Sequence, residues 1–206
     1  LVHVTADWVN ITGFTITNGG SSAYQAGIEL DSAQNCSINN NNISSNYNCN
    51  ILTRPGCRDI IISNNTISKS SDDGFYIASS NNITISENVI CENGRGIFLT
   101  SNSVYNVISS NLITNNHYGV RITSSYNNDV YHNNFIGNTI HAYDESGANS
   151  WDNGYPSGGN YWSDYAGVDI FNGVDQDILG FDGIGDTPYV VVTGDQDEYP
   201  LMMSWP

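Results

Sequence analysis

An isoleucine column runs through this chain at Ile16, Ile43, Ile67, Ile90, Ile113 and Ile136, at intervals of 27, 24, 23, 23 and 23 residues. A fixed period in the twenties leaves few folds open. It is the mark of a solenoid, in which each unit buries its apolar face only by stacking on its neighbours. Each anchor closes a similar phrase: ITGFTI (11–16), INNNNI (38–43), ISNNTI (62–67), ISENVI (85–90), ISSNLI (108–113) and YHNNFI (131–136). A second column, five residues before the anchor, holds Ile11, Ile38, Ile62, Ile85, Ile108 and Tyr131. A third, two residues before it, holds Phe14, Asn41, Asn65, Asn88, Asn111 and Asn134.

The period inside the unit decides which solenoid. Apolar residues alternate with Ser, Thr and Asn, which is the two-residue period of a strand, and no stretch offers a helical stripe. Short strands with Asn or Gly at the corners and about 23 residues per turn predict an all-β fold, a parallel β-helix of about six coils stacked roughly 4.8 Å apart. Parallel crossovers make right-handed winding the expectation. The asparagine column reads as mechanical, with amides linked along the axis and Asn accepting the left-handed backbone of a corner. Residues 1–145 form the expected solenoid and 146–206 a C-terminal capping module.

A second phrase follows each corner: GIEL (27–30), NILT (50–53), GFYI (74–77), GIFL (96–99) and GVRI (119–122). Its alternation puts Ile28, Ile51, Phe75, Ile97 and Val120 inside and Glu29, Leu52, Tyr76, Phe98 and Arg121 outside. Leu52, Tyr76, Phe98 and Arg121 on adjacent coils are thus a candidate contact face for sugar rings or another protein. The loop at 19–26 is expected to project, and either it or the tail could cover that row.

Net charge is −16, from 5 Lys and Arg against 21 Asp and Glu, and 12 of those acids lie in residues 144–206 with no base. Such a surface repels a phosphate backbone, so nucleic acid is a poor partner and cations a better one. No stretch approaches 18 consecutive apolar residues, so no membrane span is expected. Leu1 falls directly into a first-coil pattern, as in a processed or excised piece. Low Lys content and sequons at Asn10, Asn35, Asn42, Asn64 and Asn82 point to an extracellular setting.

In the tail, Asp175, Asp177, Asp182 and Asp186 are interleaved with glycines, a composition that could deliver oxygen ligands to Ca²⁺, although the EF-hand spacing is not met. No other cofactor is called for. Cys49 and Cys57 flank the turn TRPG (53–56), where a disulfide is a candidate, and Cys36 falls in an inward column. The histidines His3, His117, His132 and His141 share no ligand spacing, and with Met202 and Met203 they do not form a copper set. Asp72 and Asp73 are the only adjacent acids in the coils and the candidate acid–base pair for glycoside cleavage. SSDDGFYI (70–77) with the later RIT (121–123) is partly similar to polygalacturonases. Gly94, Arg95 and Gly96 stand where that family has Gly-His-Gly, and Thr123 replaces its Lys.

The tail phrases NGYPSGGNYWSDY (153–165), DGIGDTPY (182–189) and the pattern Asp197, Tyr199, Pro200, Leu201, Met202 resemble the ending of archaeal, methanogen-type surface proteins. Together with the coils they resemble β-helix repeat proteins of the NosD-like, carbohydrate-binding and sugar-hydrolase class. That resemblance implies a secreted β-helix, often one module of an envelope protein. The function expected is a non-enzymatic structural or adhesive module of a surface layer or sheath, self-associating, meeting other envelope proteins or contacting surface glycans. The alternative is a polysaccharide-active or glycan-binding domain using Asp72, Asp73 and the Tyr76, Phe98, Arg121 row.

Overall fold

The computed structural model describes residues 1–19, 25–192 and 194–206. It is all-β, with three parallel sheets wrapped around one core. Sheet A has seven strands: Val2–Val4, Ala26–Leu30, Cys49–Thr53, Asp73–Ala78, Arg95–Thr100, Tyr118–Ile122 and Ile140–Asp144. Sheet B has six, from Asn10–Thr12 to Asp129–Tyr131, and sheet C seven, from Thr15–Thr17 to Tyr161–Trp162. Each coil gives one strand to each sheet, so the solenoid has about seven turns rather than six. The seventh escaped the isoleucine count because its anchor is Trp162, paired with Phe135.

Ile16, Ile43, Ile67, Ile90 and Ile113 are paired in one inward row of sheet C, and Ile11, Ile38, Ile62, Ile85 and Ile108 in one of sheet B. The sixth phrase corrects the sequence alignment by one residue. Ile113 pairs with Phe135 and Ile108 with Val130, both fully buried, while Ile136 is turned outward. That coil is one residue shorter, and burial of the larger ring sets its register.

The shift also moves the asparagine column, whose last coil members are Asn133 and Asn160 in place of Asn134. The backbone N–H and Nδ2 of Asn41 both donate to Oδ1 of Asn65, at 2.9 and 3.0 Å. The same pair of bonds links Asn65 to Asn88, Asn88 to Asn111, Asn111 to Asn133 and Asn133 to Asn160. The left-handed corner residue stands before Asn41, Asn65, Asn88, Asn111 and Asn133, where Asn40, Asn64, Glu87, Ser110 and His132 all have φ between 56° and 58°, and Gly13 (φ 78°) stands likewise before Phe14. The corner turns at that residue, and the next amide swings inward.

A second ladder runs along the corner from sheet C to sheet A through Asn46, Asn93, Asn116 and Asn138. Beside it, the close approach of the adjacent coil's backbone explains glycines that open the sheet A phrases. A Cβ on Gly96 or Gly119 would lie 2.5 and 2.3 Å from the carbonyl oxygens of Gly119 and His141. Ser70 interrupts this ladder, and there Asn50 occupies the glycine column instead. Its amide accepts from Asn46 at 2.8 Å and donates to Asn93 at 3.3 Å, bridging the gap.

The tail continues the solenoid across residues 145 and 146. Ser150 bridges to Asp129 beside sheet B, and Tyr161–Trp162 extends sheet C. Trp162 is buried between Phe135 and Tyr189, stacked at 4.3 and 4.2 Å, and Trp151 is buried beside it. These rings close the apolar cross-section that a last coil leaves open. Cys36 is buried in its inward column.

Cys49 and Cys57 do not form the expected disulfide. Both are buried free thiols. Cys49 packs with Ala26 and Leu52 in a small cluster outside sheet A, whereas Cys57 belongs to the interior core.

Asn88→Ala leaves the Asn65 donors without an acceptor in a buried setting and is expected to cost about 3 kcal/mol in denaturant unfolding. Asn42→Ala, on an exposed outward position of sheet C, is expected to stay within about 0.5 kcal/mol of the parent. Equal losses would show that the ladder adds nothing beyond strand pairing.

Candidate functional site

Parallel pairing lays side chains of successive coils over one another, so residues about 23 apart become neighbours. In sheet A this produces the row His3, Glu29, Leu52, Tyr76, Phe98, Arg121 and Tyr143. The predicted contact residues are therefore brought together, but the row is less open than alternation alone implies. Leu52 is 4% exposed and Phe98 9%, while Tyr76 and Arg121 are half-buried. Large side chains at a spacing of roughly 4.8 Å cover one another. Tyr76 meets Phe98 edge to face at 5.5 Å, and Leu52 joins Ala26, Cys49 and Tyr76 in a small cluster outside the sheet. Most of the 19–26 loop, 20–24, lies outside the described residues.

Beside that row runs a second one, Cys49, Asp73, Arg95, Tyr118 and Ile140. Asp73 is fully buried and Arg95 lies one coil above it. Arg95 Nη2 donates to Asp72 Oδ1 at 2.7 Å and to Asp73 Oδ2 at 3.0 Å, and its Nε lies 2.6 Å from Asp73 Oδ1 in an ion contact without hydrogen-bond alignment. The two candidate catalytic carboxylates thus share one guanidinium. Burial lifts the Asp73 carboxyl to about 7, with Arg95 opposing and Asp72 adding to the rise.

Arg95 also lies over the Phe98 ring at 4.2 Å, and Arg121 covers the same ring from 5.6 Å. Arg121 stands 5.4 Å from both Tyr118 and Tyr143, in a box of three rings. The Glu145 carboxylate is 3.7 Å away, and the Arg121 Nε has no hydrogen-bond partner. Asp72, Gly94, Arg95, His117, Tyr118 and Arg121 line an open cleft of about 230 Å³. The sequence reading missed Tyr118 and gave Arg95 no role. Their signal was positional, since Arg95 follows Asp73 by 22 residues and Tyr118 follows Arg95 by 23.

The four tail aspartates proposed for calcium do not converge. Asp186 accepts the backbone N–H groups of Ile170 and Phe171, and Asp182 those of Ile184 and the Gln176 amide. Among the described residues no three His, Cys, Asp or Glu side chains gather at a metal-binding distance. Asp182 organises its own turn as an Asx motif does, and Asp186 ties the segment at Ile170 and Phe171 to its own.

Burial holds protons on three acids well above the ordinary carboxylate range: Asp73 and Asp197 at about 7 and Asp195 at about 6. A raised folded-state value gives stability that is full below the unfolded value and is lost as pH climbs through the folded one. His141, lowered by burial, acts in the opposite sense below its ordinary value. The melting temperature is therefore expected to be higher at pH 5.5 than at pH 7.5, read by circular dichroism. A fall over that interval would mean these carboxyls stay ionised in the fold.

A family model described as periplasmic copper-binding protein (NosD) matches residues 2–167. No curated protein matches the chain. The donors among the described residues do not fit copper. His132 is stacked on Trp205 at 3.5 Å with Nε2 at the Ser157 carbonyl. His141 is spent on Asn138, Ser163 and Asp164. His117 meets Tyr118 edge to face at 4.8 Å and belongs to no group of three His, Cys, Asp or Glu among the described residues. One equivalent of Cu(I) or Cu(II) is expected to leave the melting temperature unchanged, and a shift of several degrees would reveal a ligand set formed on binding. With the family match covering most of a chain that folds as a β-solenoid, the protein belongs to the NosD family, without a gathered copper-ligand set among its described residues.

Proposed function

We propose that this chain is a non-catalytic adhesive module of a cell envelope and that the outer surface of sheet A contacts glycan. The observation that carries the reading is the cleft at Asp72, Arg95, His117, Tyr118 and Arg121. Rings and planar charged groups stand there in register on a parallel sheet. Pyranoses are recognised by such a pairing, an aromatic face for the C–H surface and fixed polar groups for the hydroxyls.

An adhesive role fits the carboxylates better than a hydrolytic one. Glycoside cleavage needs two carboxyls flanking the scissile bond, one of them free to give up a proton and the other to attack or activate water. Asp73 is fully buried, and both Asp72 and Asp73 are held on the Arg95 guanidinium. The family's periplasmic description and the likeness of the tail to archaeal surface proteins support an envelope setting. No helix of the described residues is long and apolar enough to cross a membrane.

The test is co-sedimentation of the chain with insoluble cell-wall polysaccharides, alongside an assay for new reducing ends. Retention without cleavage is expected, and Arg121→Ala should weaken it about tenfold, roughly 1.4 kcal/mol. Absence of retention on every polysaccharide would overturn the reading. Release of reducing ends that Asp73→Asn abolishes would establish the enzymatic alternative.

A further inference from the structure

A groove lies away from sheet A, along the corner between sheets B and C. It encloses about 480 Å³. Its floor is Val89 and Leu112, outward neighbours in sheet C. One wall is the left-handed corner ridge, which presents Asn64, Glu87 and Ser110 from three successive coils at intervals of roughly 4.8 Å. The upper end is Trp205. Its indole is stacked on His132, the ridge residue of the next coil, at 3.5 Å and 6°. Its backbone is clamped by Asn134, with Trp205 N donating to Oδ1 at 2.7 Å and Nδ2 donating to the Trp205 carbonyl at 2.9 Å. A tryptophan fixed by both ring and backbone is a preorganised platform, with its ordering cost met on folding.

From this geometry we infer that the groove is a second binding site, for a neutral linear oligosaccharide lying along the solenoid axis. The coil spacing is close to the advance of one pyranose in an extended chain, so successive sugars meet successive ridge residues. Asn64 Nδ2 donates to Glu87 Oε2 at 2.9 Å, which orients Asn64 Oδ1 and Glu87 Oε1 as acceptors for hydroxyls. Val89, Leu112 and the indole supply the apolar surface that sugar C–H faces need. Charge selects the class of ligand. The side chains of the lining include one carboxylate and no base, on a chain of net charge −16, so uronates, sulfated glycans and nucleic acids are repelled.

The full chain would be titrated with cellotetraose, N-acetylchitotetraose, maltotetraose and tetragalacturonate by calorimetry. At least one neutral tetrasaccharide should bind and tetragalacturonate should not compete with it. Trp205→Ala should weaken that binding at least tenfold and Glu87→Gln severalfold, with folded-state circular dichroism unchanged in the second variant, while Arg121→Ala leaves it intact. Failure of all three neutral sugars to bind, or binding insensitive to both Trp205→Ala and Glu87→Gln, overturns the inference. Binding that only Arg121→Ala removes assigns the sugar to the sheet A cleft, which overturns the groove and keeps the earlier reading.

Discussion

The side-chain amide is the interaction on which this molecule depends. A β-helix must turn its chain three times per coil without leaving inward N–H groups unpaired, and no strand pairs at a corner. Asparagine answers both needs, because Oδ1 accepts two N–H groups from the coil below while Nδ2 reaches back to carbonyls on its own and earlier coils. Asn65, Asn88 and Asn111 each do this in full. The αL residue in front of each one provides the bend. Polar residues are thereby buried in rows, and the isoleucines fill the remaining cross-section.

Such a ladder is directional and needs an acceptor at its end, which ties the repeats to the tail. The first ladder stops at Asn160, whose N–H donates to Asp197 Oδ2 at 2.7 Å, and the same oxygen takes the Trp162 indole N–H at 2.8 Å. The second stops at Asn138, whose Nδ2 lies 3.3 Å from His141 Nδ1. That contact fixes the neutral tautomer with its proton on Nε2, facing Ser163 and Asp164. A third, Asn106 to Asn128 to Asn149, stops on Asp144 Oδ2 at 2.7 Å. Two carboxylates and one neutral imidazole, groups that present lone pairs, close the three ladders. The acidity of the tail is partly the chemistry of closing the solenoid.

The same in-register stacking builds the surface. Residues one coil apart become lateral neighbours, so an Asp beneath an Arg is an ion pair and an Arg beside two Tyr is a boxed cation, with no loop needed to bring them together. The histidines, by contrast, fall at unlike positions of different coils, His3 and His141 within sheet A strands, His117 just before one and His132 at a corner, and stacking separates them. A β-solenoid gathers like positions and scatters unlike ones, which accounts for a NosD-family fold whose donors do not form a copper set.

The sequence by itself determined the class of fold, the coil length, the inward columns of isoleucine and the chemistry of the asparagine column, because each is a period that stacking must obey. It also placed Leu52, Tyr76, Phe98 and Arg121 in one row. Only the tertiary structure decided the rest. The register of the sixth coil turned on whether Phe135 or Ile136 was buried, a choice of packing volume that a pattern of apolar letters does not contain. The openness of the sheet A row depended on neighbouring rings covering one another. The partners of Asp73 and the pinning of Trp205 on His132 join residues 22 and 73 positions apart, and only the first of those separations is a repeat length. Local periodicity is written along the chain, whereas coverage and closure depend on which coil meets which tail residue in space.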